Sequence, residues 1–123
     1  MNGFTVEIKE SSVELSKKDR VKMKDPSNAI KLDEVTNEGS FVLKPAAYVI
    51  LSIHNSKSDN PDYENILIMD DNGTKYVTGS PSFMTAFFDI WREMDGETDW
   101  ELECYKRDSK NYKGKQFLTC SII

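Results

Sequence analysis

The strongest constraint on this chain is the order in which its periodicities change between Ala46 and Ile123. Residues 47–54 (AYVILSIH) alternate at the two-residue period of a strand. Ala47, Val49, Leu51 and Ile53 are assigned to the core side, and Tyr48, Ile50, Ser52 and His54 to the other. A polar loop over 55–63 leads into a strand at 65–69 (NILIM). Asp71-Asn72-Gly73 then reads as a hairpin turn, because Asn and Gly tolerate positive φ, and residues 75–78 return as its partner. Gly79-Ser80-Pro81 opens a helix: the Ser80 hydroxyl can accept a backbone N–H, and Pro81 stands where a missing N–H does no harm. Phe83, Phe87, Ile90, Trp91 and Met94 recur every three or four residues as one apolar stripe, read as core, with Gly96 as the stop. Residues 100–107 and 116–122 form a last hairpin, in which symmetry about Tyr112 sets position 104 opposite position 120.

Strand, strand, strand, helix, strand, strand is the order of an OB-like fold, a five-stranded partly open barrel. The expectation is therefore a mainly β chain with one helix, and a plain α+β sheet is the other reading. Residues 1–123 are read as a single domain, with 46–123 as the core and 1–45 as an N-terminal extension carrying one or two strands. Those strands are 3–9, with Phe4, Val6 and Ile8 on one face, and 41–43, closed by Pro45. Segment 29–35 is too short to classify. A chain of 123 residues buries enough surface to fold without metal or disulfide. No run approaches a membrane span and no signal peptide opens the chain, so a cytoplasmic location with free Cys104 and Cys120 is expected.

Charge is unevenly placed. The whole chain carries −5, yet segments 16–24 (SKKDRVKMK) and 105–116 (YKRDSKNYKGKQ) each carry five cations and one acid. About −13 is left on the rest. Bulk charge does not suit a protein that coats nucleic acid. Local charge does, because the last hairpin interleaves rings with cations. Tyr105 and Phe117 sit diagonally on its non-core face, and the loop adds Lys106, Arg107, Lys110, Tyr112, Lys113 and Lys115. Rings stack on exposed bases while ammonium groups neutralise phosphates. Lys18, Arg20, Lys22 and Lys24 would line one face if 16–24 were a strand, extending the groove. The bland alternative for both segments is a solvated, lysine-rich loop.

The stretches YVTGSPSFMTAFFDIW and WELECYKRDSKNYKGKQFLTCSII resemble small single-stranded DNA-binding proteins of bacteriophages and prophages. The likeness spans about residues 46–123. It rests on element order, the aromatic-basic hairpin and chain length. It implies an OB-fold, little sequence preference, single-stranded DNA (or RNA) as partner, and no small-molecule cofactor. Tyr105, Tyr112 and Phe117 would stack, and Lys106, Arg107, Lys110, Lys113 and Lys115 would contact phosphates. One departure is the lack of the acidic tail with which bacterial members recruit partners: this sequence closes on Thr119-Cys120-Ser121-Ile122-Ile123, inside the expected last strand. Residues 1–45 fall outside the resemblance and are read as an insertion, a homodimer arm or part of the groove.

The second functional reading is an acidic protein-binding module, such as a small phage-encoded inhibitor of a host complex, motivated by the acidic surplus. Catalysis is not expected. His54 is the only histidine and lies on the non-core face. Two cysteines and one histidine are too few for a zinc site. Asp70-Asp71-Asn72-Gly73 departs from a calcium-loop spacing and is read as a turn. Gly79-Ser80-Pro81-Ser82 lacks the phosphate-loop lysine and is read as a helix cap.

Overall fold

The Asp70 carboxylate shows how local chemistry sets the architecture. Its Oδ1 accepts the backbone N–H of Asn72 (2.9 Å) and of Thr74 (2.8 Å), and Gly73 supplies φ +86°. This turn fixes the pairing of β5 (Asp62–Asp70) with β6 (Lys75–Thr78), and β5 pairs on its other side with β4 (Pro45–Asn55). The structure is a computed structural model that describes residues 4–57, 59, 61–97, 99–109 and 114–123. Its remaining elements are β1 (Phe4–Ser11), α1 (Lys17–Lys24), β2 (Ile30–Lys31), α2 (Leu32–Val35), β3 (Phe41–Leu43), α3 (Pro81–Glu93), β7 (Leu102–Asp108) and β8 (Gln116–Ile122).

The strands form two sheets, ordered β1-β4-β5-β6-β2 and β3-β7-β8. Pairing is antiparallel except between β2 and β6. The mainly β expectation holds, but the described residues form three α-helices rather than one, and the described strands close no barrel. Lys44 alone separates β3 from β4, so one bent path serves both sheets. Pro45, expected to end the short strand, begins the long one, at a bulge where no ladder N–H is required. The segment assigned to an extension is woven in. β1 and β2 are the two edges of the larger sheet, and β3 is an edge of the smaller.

Residues 30–37 lie between β6 and β7. β2 pairs with β6, and Asp33 Oδ2 accepts the Thr78 hydroxyl at 2.9 Å. Lys106 Nζ donates to the Asp33 carbonyl (2.8 Å) and to Asn37 Oδ1. Leu32, fully buried, fills the core behind these contacts. At the start of α3, Ser80 Oγ accepts the Phe83 N–H (3.2 Å), and Ser82 Oγ donates to the Leu118 carbonyl of β8 (2.7 Å). The N-terminus of α3 is thereby tied to the smaller sheet.

Two cores result. The main one lies between the sheets and α3, around Tyr48, Ile50, Ile66, Ile68, Phe83, Phe87, Leu102 and Cys104. The second backs the larger sheet, where Val49, Leu51, Ile53 and Leu67 meet Met23 of α1 and half-buried Val6, Ile8 and Leu15. Tyr48 and Ile50 were expected on the non-core side of their strand. They lie in the main core because β4 is apolar on both faces and the Tyr48 ring meets Phe87, Phe88 and Trp91 edge-on at 5.1–5.8 Å. Among the described residues no helix is long and apolar enough to cross a membrane.

Candidate nucleic-acid interface

The last hairpin sorts its side chains by alternation. Cys104 faces Cys120 across the strands, Leu102 faces Ile122 and Lys106 faces Leu118, in the register set by symmetry about position 112. Cys104 and Cys120 are free and buried. Burial pushes the Cys104 thiol far up and the Cys120 thiol up to about 12, so both are protonated structural groups.

The opposite face is turned toward solvent. It carries Glu103, Tyr105 and Arg107 from β7, and Phe117, Thr119 and Ser121 from β8. Arg107 is exposed and pairs directly with Phe117, a residue 37% exposed. Tyr105 is half-buried, one register step diagonal from Phe117, and its hydroxyl lies 2.7 Å from Ser121 Oγ. That bond holds the ring on the sheet. The loop base is closed by the Ser109 N–H donating to the Lys115 carbonyl at 2.9 Å. Gly114 adopts φ +81°, and Lys115 is exposed. Lys110, Tyr112 and Lys113 lie outside the described residues.

Two expected parts of the interface are not brought to this face. Lys106 shares the parity of Leu102 and Cys104, so its stem points inward and its ammonium is held by Asp33 and Asn37. Segment 16–24 is a helix, not a strand, so the two-residue spacing of its cations no longer aligns them. At 100° per residue, Lys18 and Lys22 fall on one side, with Arg20 and Lys24 far round from them. Moreover, α1 packs Met23 on the back of the larger sheet, whereas the hairpin packs on its front. The helix has its own start signal: Ser16 Oγ accepts the Asp19 N–H at 3.1 Å, and Lys22 and Lys24 suit its C-terminus.

A separate cleft lies elsewhere. A cavity of about 460 Å³ opens between Trp91, near the end of α3, and Trp100, just before β7. The ring centroids are 6.0 Å apart at 63°. Asp71, Asp95, Glu97 and Asp99 surround it, and Lys44 reaches Asp99 at 3.1 Å. Asp99 holds φ +63°, an unusual conformation that asparagine and aspartate tolerate best. Most of its wall is the stretch from the end of α3 to Trp100, completed by Lys44, Pro45 and Ala46 at the start of β4 and by Asp71. The carboxylate of Asp62, exposed on β5, meets His54 Nδ1 at 2.7 Å, with both groups in solvent. Comparisons with protein-family models, with curated proteins and with solved structures find no match for this chain.

Proposed function

We propose that the chain is a non-catalytic single-stranded DNA-binding protein of the phage accessory type, with the solvent-facing side of β3-β7-β8 as its platform. The observation that carries this reading is the placement of Tyr105, Phe117 and Arg107 as neighbours on one open sheet face that leads to the lysine-rich tip. Bases would stack on the two rings, and Arg107 and Lys115 would neutralise phosphates. Lys106, turned inward, and the α1 cations, behind the larger sheet, are left out of the contact set.

The strand path supports an OB-like assignment. The bent β3–β4 path pairs with β5 in one sheet and with β7 in the other, and α3 stands between β6 and β7. The opening that an OB barrel leaves is filled here by β2 and α2.

Anisotropy of a fluorescent oligothymidine tests the reading. Affinity should fall linearly with salt on logarithmic axes, with a slope of ~0.7 per neutralised phosphate. Arg107 and Lys115 alone give a slope of about −1.4, and engagement of Lys110 and Lys113 raises it to about −2.8. Phe117→Ala should weaken binding roughly 5- to 150-fold, the equivalent of one stacked base at 1–3 kcal/mol. An absence of binding at low salt by a folded sample rejects the proposal.

A further inference from the structure

We propose that the Trp91–Trp100 cleft is a second binding site, one that takes the guanidinium of an arginine in a basic segment of a partner protein. The cleft has the volume for a long side chain, at about 460 Å³. Two half-buried indoles form part of its wall, 6.0 Å apart and inclined at 63°, so they present flat faces in two directions. A planar, weakly hydrated cation stacks on such faces.

The electrostatics select the sign. Asp71, Asp95, Glu97 and Asp99 line the cleft against Lys44 alone, and Lys44 is held by Asp99. Among the described residues, Asp71, Asp95 and Glu97 are in no ion pair. α3 ends at this wall, with Met94 as its C-cap, so the negative end of its dipole adds to the carboxylates. A small anion or a nucleic-acid backbone would meet repulsion here. A guanidinium is favoured over an ammonium because it can stack on indole while its fork binds a carboxylate bidentately.

This site is independent of the platform for nucleic acid. It lies where β7 begins, and the basic tip lies where β7 ends, six residue steps or about 20 Å away. One molecule could thus hold a polyanion at one end and a basic partner segment at the other.

The chain has two tryptophans and both line the cleft, so intrinsic fluorescence reports on this site directly. The probe is a blocked tri-arginine peptide, titrated at low ionic strength against the tri-citrulline peptide of the same shape without charge. A saturable change in tryptophan emission is expected, with at least tenfold weaker response to citrulline. The Asp95→Asn/Glu97→Gln protein should bind tri-arginine at least fivefold more weakly, with its far-UV spectrum and thermal midpoint unchanged. The proposal is overturned by no saturable change, by equal binding of the citrulline peptide, or by unchanged affinity in the double variant. It is overturned equally if oligothymidine rather than the arginine peptide shifts the tryptophan emission.

Discussion

Replacement of Ser82 by alanine tests how α3 is fastened to the smaller sheet. The Ser82 hydroxyl donates to the Leu118 carbonyl at 2.7 Å, and Leu118 is only 3% exposed. A carbonyl buried without a donor costs about 1–3 kcal/mol. Ser80 Oγ softens the single change, because it lies 3.4 Å from the same carbonyl and 2.9 Å from Ser82 Oγ. Ser82→Ala alone should therefore cost ~1 kcal/mol, the net worth of one hydrogen bond. Ser80→Ala removes the N-cap from Phe83 and should also cost ~1 kcal/mol. In the double variant no hydroxyl remains for the carbonyl, so the loss should reach about 3–4 kcal/mol, more than the two single losses combined. Urea unfolding followed by tryptophan fluorescence and by circular dichroism gives all three values, provided the two probes coincide. An additive double variant would show that the two hydroxyls do not share the carbonyl. A loss below ~0.5 kcal/mol in the double variant would refute the fastening altogether, since that is the scale of an ordinary surface substitution.

Three further outcomes follow from single residues. Lys106→Ala should leave oligothymidine affinity within about twofold, whereas Arg107→Ala should weaken it and flatten the salt slope by ~0.7; anisotropy at several salt concentrations separates them. The Tyr48 hydroxyl is pushed up from 10.0 to about 12 by burial, with the Glu10 carboxylate at 2.5 Å adding to the effect. The folded state therefore holds this proton more tightly than the unfolded chain, and its contribution is intact below pH 10 and lost as the pH climbs through about 12. Cys120, raised from 9.0 to about 12 by burial, acts in the same direction from pH 9 upward, so thermal midpoints should fall steeply on that alkaline limb. A thiol reagent at pH 8 should label neither Cys104 nor Cys120 in the folded protein and both after denaturation, read by mass spectrometry.

What the sequence discloses depends on whether a residue's neighbours are local. The last hairpin is legible because its two strands alternate and its loop is nearly symmetric, so position 104 meets position 120 as expected. The start of α3 is equally legible, since Ser80 and Pro81 act within one turn. β4 is less so. Its alternation locates a strand, but with apolar residues on both faces it cannot say which side meets the aromatic helix. Segment 16–24 misleads because its only apolar residues are Val21 and Met23, too few to mark a helical stripe; the Ser16 and Asp19 spacing was the available signal. The placement of Lys106 follows from parity alone, yet its partners Asp33 and Asn37 are about seventy residues away and leave no local trace. The Trp91–Trp100 cleft is built mostly from the local stretch 91–100, but Lys44, Pro45, Ala46 and Asp71, which complete its wall, are distant in sequence.

In a chain of net charge −5, distance from its own acids favours any surface that would meet a polyanion. β7 separates the carboxylates around Trp100 from Arg107 and Lys115 by about 20 Å, and leaves Glu103 on the platform face and Asp108 beside Arg107 as the nearer acids. At 0.15 M salt the screening length is ~8 Å, so the acidic end contributes little potential at the tip. At 0.01 M it is ~30 Å, and the two ends no longer act separately. On the proposed nucleic-acid reading, contact with phosphates at physiological salt is set by the cations within a screening length, Arg107 and Lys115 among the described residues, rather than by the −5 of the whole chain. On that reading, polarity along one strand sets the acid-lined cleft about 20 Å from Arg107 and Lys115, so a basic partner segment and nucleic acid would not compete.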